Sequence, residues 1–161
     1  MPAETLIDVS RLILIVTGST LEAELYDRPT AYTLRMGLFA WLQSHLGGAV
    51  REGDLSTAWG PRIVLCSDIW YLNQEELRTC PTISIGGPGS NALTAFLGDK
   101  LPSAFVVEGA TMVQMDVQLK NAPGEVVCAC WGTDPVQTAA AVGVFRERYI
   151  DIYMEAATEG W

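Results

Sequence analysis

The feature that most constrains the fold is the stretch TISIGGPGSNALTAFL, residues 82–97. It joins a short apolar run to a glycine-rich corner and then to a second apolar segment. In that second segment Leu93, Phe96 and Leu97 recur three or four residues apart, as they would on one face of a helix. The stretch therefore predicts a strand, a tight turn and a helix in direct succession.

The corner itself contains three glycines, Gly86, Gly87 and Gly89. Glycine adopts backbone angles that are closed to other residues, and Pro88 fixes one φ angle. We expect a positive φ at Gly87, where a β-branched residue would cost about 1 to 3 kcal/mol. Ser90 or Asn91 is placed to cap the following helix, where bare backbone N–H groups also favour a polar ligand.

Two further apolar runs, LILIVT at 12–17 and RIVLCS at 62–67, are typical of parallel strands buried on both faces. Spacing of apolar residues predicts helices over 29–46 and 135–157, the first starting at Asp27 to Pro29 and the second capped by Thr133 or Asp134. We expect these two helices to cover the two faces of the sheet. The predicted fold is a single α/β domain over 1–161, a Rossmann-like three-layer sandwich with a mostly parallel sheet.

The pattern changes after residue 112, because apolar and polar residues alternate over 113–120. Such alternation predicts a strand with one face in water. Residues 121–124, Asn-Ala-Pro-Gly, have turn composition and precede the apolar run EVVCACW at 125–131. We therefore predict a hairpin at one edge of a mixed sheet, while residues 49–61 are polar and predict a surface connection.

Net charge and composition exclude several classes of partner. The chain carries a formal charge of −9, and its ten Lys and Arg residues are scattered, which argues against nucleic acid and anionic membranes. The apolar run at 12–16 is too short to span a membrane, and no basic region precedes it. The sequence thus predicts a cytoplasmic location.

The four cysteines lie in or beside apolar strand-like runs, where free cysteine behaves as a small hydrophobe. Cys128 and Cys130 would point to the same side of a strand and could in principle hold a soft metal. Their spacing is too close for a typical zinc site and His45 is the one histidine in the chain, so core packing is favoured. We expect no metal and no cofactor.

The corner GGPGSN and the later stretch CACWGTDPVQTAAAVGVF resemble the GGP-x-x-N module of prokaryotic surface-layer proteins and of small uncharacterised α/β proteins. The resemblance covers roughly the second half of the chain. Its anchors are Gly86, Gly87, Pro88, Asn91, Gly132, Asp134, Thr138 and Ala139. It implies a Rossmann-like unit used for assembly or for unassigned roles, with no catalytic residues to carry over.

Ligands of open parallel sheets bind beyond the carboxyl ends of the strands. The candidate ligand-binding residues at those ends are Ser19, Asp68, Trp70, Gly86, Gly87, Gly89, Ser90, Asn91 and Asp134. The corner is not G-x-G-x-x-G and lacks a phosphate-loop lysine, and the carboxylates would repel phosphate, so nucleotide binding is disfavoured. The same glycines and asparagine also fit a purely structural corner.

The C-terminal helix carries apolar residues over a wide arc, which predicts contact with a second element or a second subunit. The candidate interface residues are Ile150, Met154 and Trp161.

Two functional hypotheses follow. One is a self-associating domain, a homo-oligomer with an assembly role and a polar-ligand site at the corner. The other is a small-molecule-binding protein or enzyme, such as a transferase or hydrolase of a polar metabolite, although no catalytic serine or cysteine triad is recognisable.

Overall fold

A computed structural model describes residues 9–46, 62–117 and 126–161. The predicted turn at 121–124 and the predicted connection at 49–61 lie outside these residues. The strands are β1 (Leu12–Thr17), β2 (Arg62–Ser67), β3 (Thr82–Ile85), β4 (Ser103–Val107), β5 (Thr111–Asp116) and β6 (Val127–Gly132). The α-helices are α1 (Arg28–Leu46), α2 (Asp68–Leu72), α3 (Ala92–Leu97), α4 (Pro135–Val144) and α5 (Ile150–Ala157).

The six strands form one mixed sheet in the order β2-β1-β3-β6-β5-β4. Strands β2, β1, β3 and β6 are parallel, and β5 runs antiparallel to both of its neighbours. In the centre, Ile15 of β1 is in register with Leu65 of β2 and with Ile83 of β3. All six residues of β1 are buried, so the prediction of an α/β fold with a mostly parallel sheet covered on both faces is confirmed.

Alternate residues of β1 belong to two separate hydrophobic clusters, one on each face of the sheet. Ile13 and Ile15 pack in the cluster that contains buried residues of α1, α4 and α5. Leu14 and Val16 pack in a smaller cluster with α2, α3 and the 3₁₀ helix Glu75–Thr79. The prediction that helices 29–46 and 135–157 cover opposite faces is therefore wrong. Both lie on one face, and α2, α3 and the 3₁₀ helix Glu75–Thr79 cover the other.

The predicted hairpin is present, but it does not form the edge of the sheet. Strands β5 and β6 pair antiparallel, whereas β4 occupies the edge and β6 lies inside the sheet. The predicted wet face of β5 is wrong at Gln114, which is buried. Its amide donates to the Gly98 carbonyl at 2.9 Å, and its carbonyl oxygen accepts from Trp131 Nε1 at 3.1 Å. A buried glutamine is tolerated because its polar atoms are paired.

The C-terminal helical segment runs from α4 through a π-helical turn, Phe145–Tyr149, into α5. Of the candidate interface residues, Met154 is fully buried, and Ile150 and Trp161 are half-buried against the same core. Trp41 of α1 also donates to Asp151 at 2.9 Å. The wide apolar arc is thus accounted for largely by contacts within the chain. Within the described ranges, no helix is long and apolar enough to cross a membrane.

Candidate functional site

The carboxyl end of β1 leads directly into a helix that starts at Leu21. Thr20 Oγ1 accepts a hydrogen bond from the Ala23 amide at 3.1 Å and so caps this helix. The chain then makes a π-helical turn, Ala23–Asp27, before α1. The α-helix α1 begins at Arg28, as predicted, but the helical segment as a whole already begins at Leu21, which the sequence did not predict. The π turn also suits Pro29, which has no N–H to donate in the α-helical pattern.

The π turn determines which side chains share one side of the helix. The Arg28 amide donates to the Ala23 carbonyl, five residues back, which is the π-helical pattern. In a regular α-helix Glu22 and Asp27 would point about 140° apart, at 100° per residue. The wider π turn instead lets both carboxylates line the same cavity. Such π turns occur frequently at functional sites.

The strand-to-helix corner after β3 is held by the side chain of Asn91. Its carbonyl oxygen accepts hydrogen bonds from the Leu93 amide at 2.9 Å and the Thr94 amide at 3.3 Å, which confirms the predicted cap of α3. Its amide nitrogen donates to the carbonyls of Val16 at 3.1 Å and Ile85 at 2.8 Å, so it ties the ends of β1 and β3 together. Asn91 is buried, and this pairing gives it a structural role.

The positive φ in this corner lies at Gly86, with φ of 110°, and the expectation of a positive φ at Gly87 is wrong. A Cβ at Gly86 would lie 2.7 Å from Oδ2 of Asp27, so the carboxylate packs directly against this glycine. Gly18 is equally constrained, because a Cβ there would overlap the Ser90 carbonyl oxygen at 1.7 Å. These two glycines bring the β1 and β3 corners into contact.

Asp68, at the end of β2, uses its carboxylate to join three corners. Oδ1 accepts from the Ser19 hydroxyl at 2.5 Å and from the Ile69 amide at 2.7 Å, and Oδ2 accepts from the Ala92 amide at 2.7 Å. Trp70 lies on α2 and is 46% exposed. Hydrogen bonds therefore tie Ser19, Asp68 and the buried Asn91 to the corner, but these residues and Trp70 do not line the cavity beside it.

A cavity of about 390 Å³ opens between the corner after β3 and the corner after β6. Its lining includes four of the predicted residues, namely Gly87, Gly89, Ser90 and Asp134. Asp134 also caps α4 through the Gln137 amide at 2.8 Å, as predicted, with Pro135 in the first turn. The lining residues that the sequence did not single out as site residues are Glu22, Asp27, Pro88, Trp131, Gly132, Thr133, Pro135 and Thr138.

Asp27 is the distinctive group in this cavity. Only 4% of the residue is exposed, and its carboxylate accepts no hydrogen bond from any residue that the structure describes. Burial, with a smaller effect from the Glu22 carboxylate, raises the pKa of Asp27 from 3.8 to about 6. The neighbouring Arg28 forms an ion pair with Glu24 at 3.0 Å. A largely buried carboxylate that accepts no hydrogen bond from the described residues is costly, and such groups mark functional sites.

The electrostatic character of the cavity is acidic. Three carboxylates, of Glu22, Asp27 and Asp134, line it, and none of its described lining residues is Lys, Arg or His. Among residues 9–46, 62–117 and 126–161, no group of three or more His, Cys, Asp or Glu side chains is arranged to hold a metal ion.

The other potentially reactive side chains, three cysteines and the histidine, contact other groups of the protein and not the cavity. Cys128 and Cys130 are fully buried with their sulfurs 3.8 Å apart, and burial raises the pKa of the Cys128 thiol well above its ordinary value. His45 stacks on Trp41 with ring centroids 3.9 Å apart and contacts the Trp41 carbonyl through Nδ1. Cys80 is buried and its sulfur lies 3.6 Å from the Val9 carbonyl. These groups do not line the cavity.

A signal for the missed residues was present in the sequence TLEAEL at 20–25. Thr20 is a good N-cap, and the five residues after it are strong helix formers. The π turn that follows has no comparable sequence signal.

Comparison with protein-family models and with curated protein sequences finds no match to this chain. The fold and site define the class, an α/β protein with an acidic cavity at the carboxyl edge of a mostly parallel sheet.

Proposed function

We propose that the protein binds a small organic ligand carrying a positive charge, such as a protonated amine, in the cavity beside the GGPGSN corner. The observation that carries this proposal is the Asp27 carboxylate, which is buried, faces the cavity and lacks a hydrogen-bond donor among the described residues. A bound ammonium or guanidinium group would supply that donor. A charge-assisted hydrogen bond of this kind is stronger than one between neutral groups.

The charge of the cavity favours a cation over an anion. Phosphate would meet three carboxylates and no basic side chain of the described lining. Glycine corners and helix N-termini commonly bind anions. Here Asp134 accepts from the Gln137 amide of α4, and Asp68 and Asn91 accept from the Ala92, Leu93 and Thr94 amides of α3. These amides are therefore already bonded to the protein's own side chains, and the open acidic cavity lies beside the corner.

A thermal-shift screen with protonated amines, including spermidine, glucosamine and ethanolamine, tests this proposal. At least one compound should raise the melting temperature of the wild-type protein, since a ligand that binds only the folded state stabilises it. The Asp27→Asn variant should lose that response. The Glu75→Gln variant should keep it, because Glu75 is exposed in a 3₁₀ helix and does not line the cavity. A response that survives Asp27→Asn, or no response to any amine, would contradict the proposal.

Self-association is the second candidate function, and the edge strand β4 favours it. Val106 and Val107 are 49% and 48% exposed, on successive positions and hence on opposite faces of the strand. An apolar edge strand with unpaired backbone groups is a typical site for pairing with another chain. We propose that two copies pair through β4 to form a dimer.

Multi-angle light scattering at micromolar concentration tests the dimer. We expect twice the monomer mass of 17.5 kDa, and a Val106→Lys change should yield the monomer, because charged residues block edge pairing. Ile152→Lys is the control, since Ile152 is a comparably exposed residue on α5. A monomer in the wild type, or a dimer that persists in Val106→Lys, would refute pairing through β4.

We also propose a cytoplasmic location. All four cysteines are buried as free thiols, which is the usual state in a reducing compartment.

A further inference from the structure

A second, more open groove adjoins the acidic cavity. Its volume is about 560 Å³, and it lies between the helical start of residues 21–26 and the first turn of α4. The two depressions share three lining residues, Glu22, Asp134 and Pro135. They are therefore neighbouring parts of one continuous surface.

The floor of this groove is apolar and open to solvent. It is lined by Leu21, Leu25, Tyr26 and Val136 in addition to the shared residues. Leu21 is 75% exposed and Val136 is 74% exposed, and Leu25 and Tyr26 are also more than half exposed. Single exposed apolar residues are ordinary, but a cluster of four in one groove marks a binding surface.

We propose that the ligand of the acidic cavity is an amphipathic cation. Its ammonium group lies at Asp27, and its hydrocarbon part extends past Glu22 and Asp134 onto the apolar groove. This inference rests on the proposed function, because it assigns the ligand class of the same cavity. In addition, the hydrocarbon length of the ligand, and not only its charge, determines its affinity.

The charges around the groove favour this occupant over a purely apolar one. Glu22 and Asp134 stand at the boundary between the groove and the cavity, and no basic side chain is among the described lining residues of either. A flat apolar partner would remove water from both carboxylates without supplying a donor, which is costly. An amphipathic cation brings its own positive charge to these carboxylates and buries its hydrocarbon part on the leucines and the valine.

Isothermal titration calorimetry with n-alkylammonium chlorides from propyl to hexyl tests the inference. Affinity should rise about threefold for each added methylene, the gain expected when a CH₂ group is largely removed from water. Hexanol, which has the same chain without the charge, should bind at least about tenfold more weakly than hexylammonium. Asp27→Asn should weaken the binding of propylammonium and hexylammonium alike.

Two groove variants and one control separate the hydrocarbon site from the charge site. Val136→Thr and Leu21→Gln should lower the ratio of hexylammonium to propylammonium affinity at least about threefold. Both residues are exposed, so these changes should not prevent folding. Ile152→Thr is the matched control, because Ile152 is exposed on α5 and lines neither depression. It should leave the ratio unchanged.

The outcomes distinguish this inference from the proposal on which it rests. Equal affinity for all chain lengths, with binding lost in Asp27→Asn, overturns the amphipathic ligand and leaves the cation-binding cavity intact. Dependence on chain length without any effect of Asp27→Asn overturns both, as does the absence of binding at millimolar concentration. A wild-type dimer that Val136→Thr dissociates, with no chain-length effect, would show that a second copy occupies the groove, which also overturns the inference.

Discussion

Replacing Gly86 by valine should lower the free energy of unfolding by about 3 kcal/mol or more, a large part of the stability of a small domain. The φ of 110° at this position is strained for any residue with a Cβ and especially for a β-branched one. The new Cβ would also lie 2.7 Å from Oδ2 of Asp27. Urea denaturation followed by far-ultraviolet circular dichroism measures the change.

The neighbouring glycine supplies the control for this variant. A Cβ at Gly87 would have the Gly132 carbonyl oxygen, at 3.4 Å, as its nearest neighbour, and the φ of Gly87 is not positive. Gly87→Ala should therefore cost less than about 1 kcal/mol. Equal losses in the two variants, or a larger loss at Gly87, would mean that the strained position of the corner has been misassigned.

Replacing Asp27 by asparagine should make the protein more stable by about 1 to 2 kcal/mol at about pH 7. The pKa of Asp27 is raised from 3.8 to about 6 in the folded protein, because burial and the Glu22 carboxylate disfavour its ionised form. A group with a raised folded-state pKa binds its proton more tightly in the folded state. Its unfavourable contribution is therefore absent below about pH 4, grows as pH rises to about 6, and is constant above that.

Urea denaturation of the wild type and of Asp27→Asn across this pH range checks the sign. The stability difference should approach zero near pH 4 and reach its full value above pH 6. The other acidic groups at the cavity, Glu22 and Asp134, are exposed and are unchanged in this comparison. Loss of stability in Asp27→Asn at neutral pH would mean that the carboxylate has a structural partner, and it would contradict a binding role.

A gain of stability on removing a polar group is typical of functional residues, because binding sites retain arrangements that are unfavourable for the folded protein alone. Asp27 contrasts in this respect with Asp68, whose two carboxylate oxygens accept three hydrogen bonds within the protein. The same residue type is thus structural just after β2, whereas in the π turn before α1 it accepts no hydrogen bond from the described residues. Only their hydrogen-bond partners distinguish Asp27 from Asp68, and those partners depend on the tertiary structure.

The parts of the fold that depend on local pattern could be predicted from the sequence. LILIVT and TISI form parallel strands because continuous β-branched and apolar residues suit burial on both faces. RIVLCS also forms a parallel strand, but the prediction that it is buried on both faces is wrong, because β2 lies at the edge of the sheet and only its Ile63 and Cys66 are buried. Asn91 and Asp134 cap their helices because short polar side chains after a strand reach the first free amides. The strand order and the face to which each helix packs depend on contacts between distant residues, and these were not predictable.

The candidate site was only half predictable for the same reason. The glycine corner and Asp134 follow strand ends and so were found by a general rule for parallel sheets. Asp27 was interpreted as a helix start, because Pro29 two residues later is typical of a first helical turn. The π turn moves Asp27 inside a helix that has already begun at Leu21, and it turns the carboxylate towards the cavity.

A carbon-13 NMR titration of the Asp27 carboxyl group, with and without hexylammonium chloride, tests whether this carboxylate binds a cationic ligand. In the free protein Asp27 should titrate with a pKa of about 6. Saturating hexylammonium should lower that pKa, because a positive charge nearby stabilises the ionised form. A pKa near the ordinary 3.8 in the free protein, unchanged by the amine, would contradict the account.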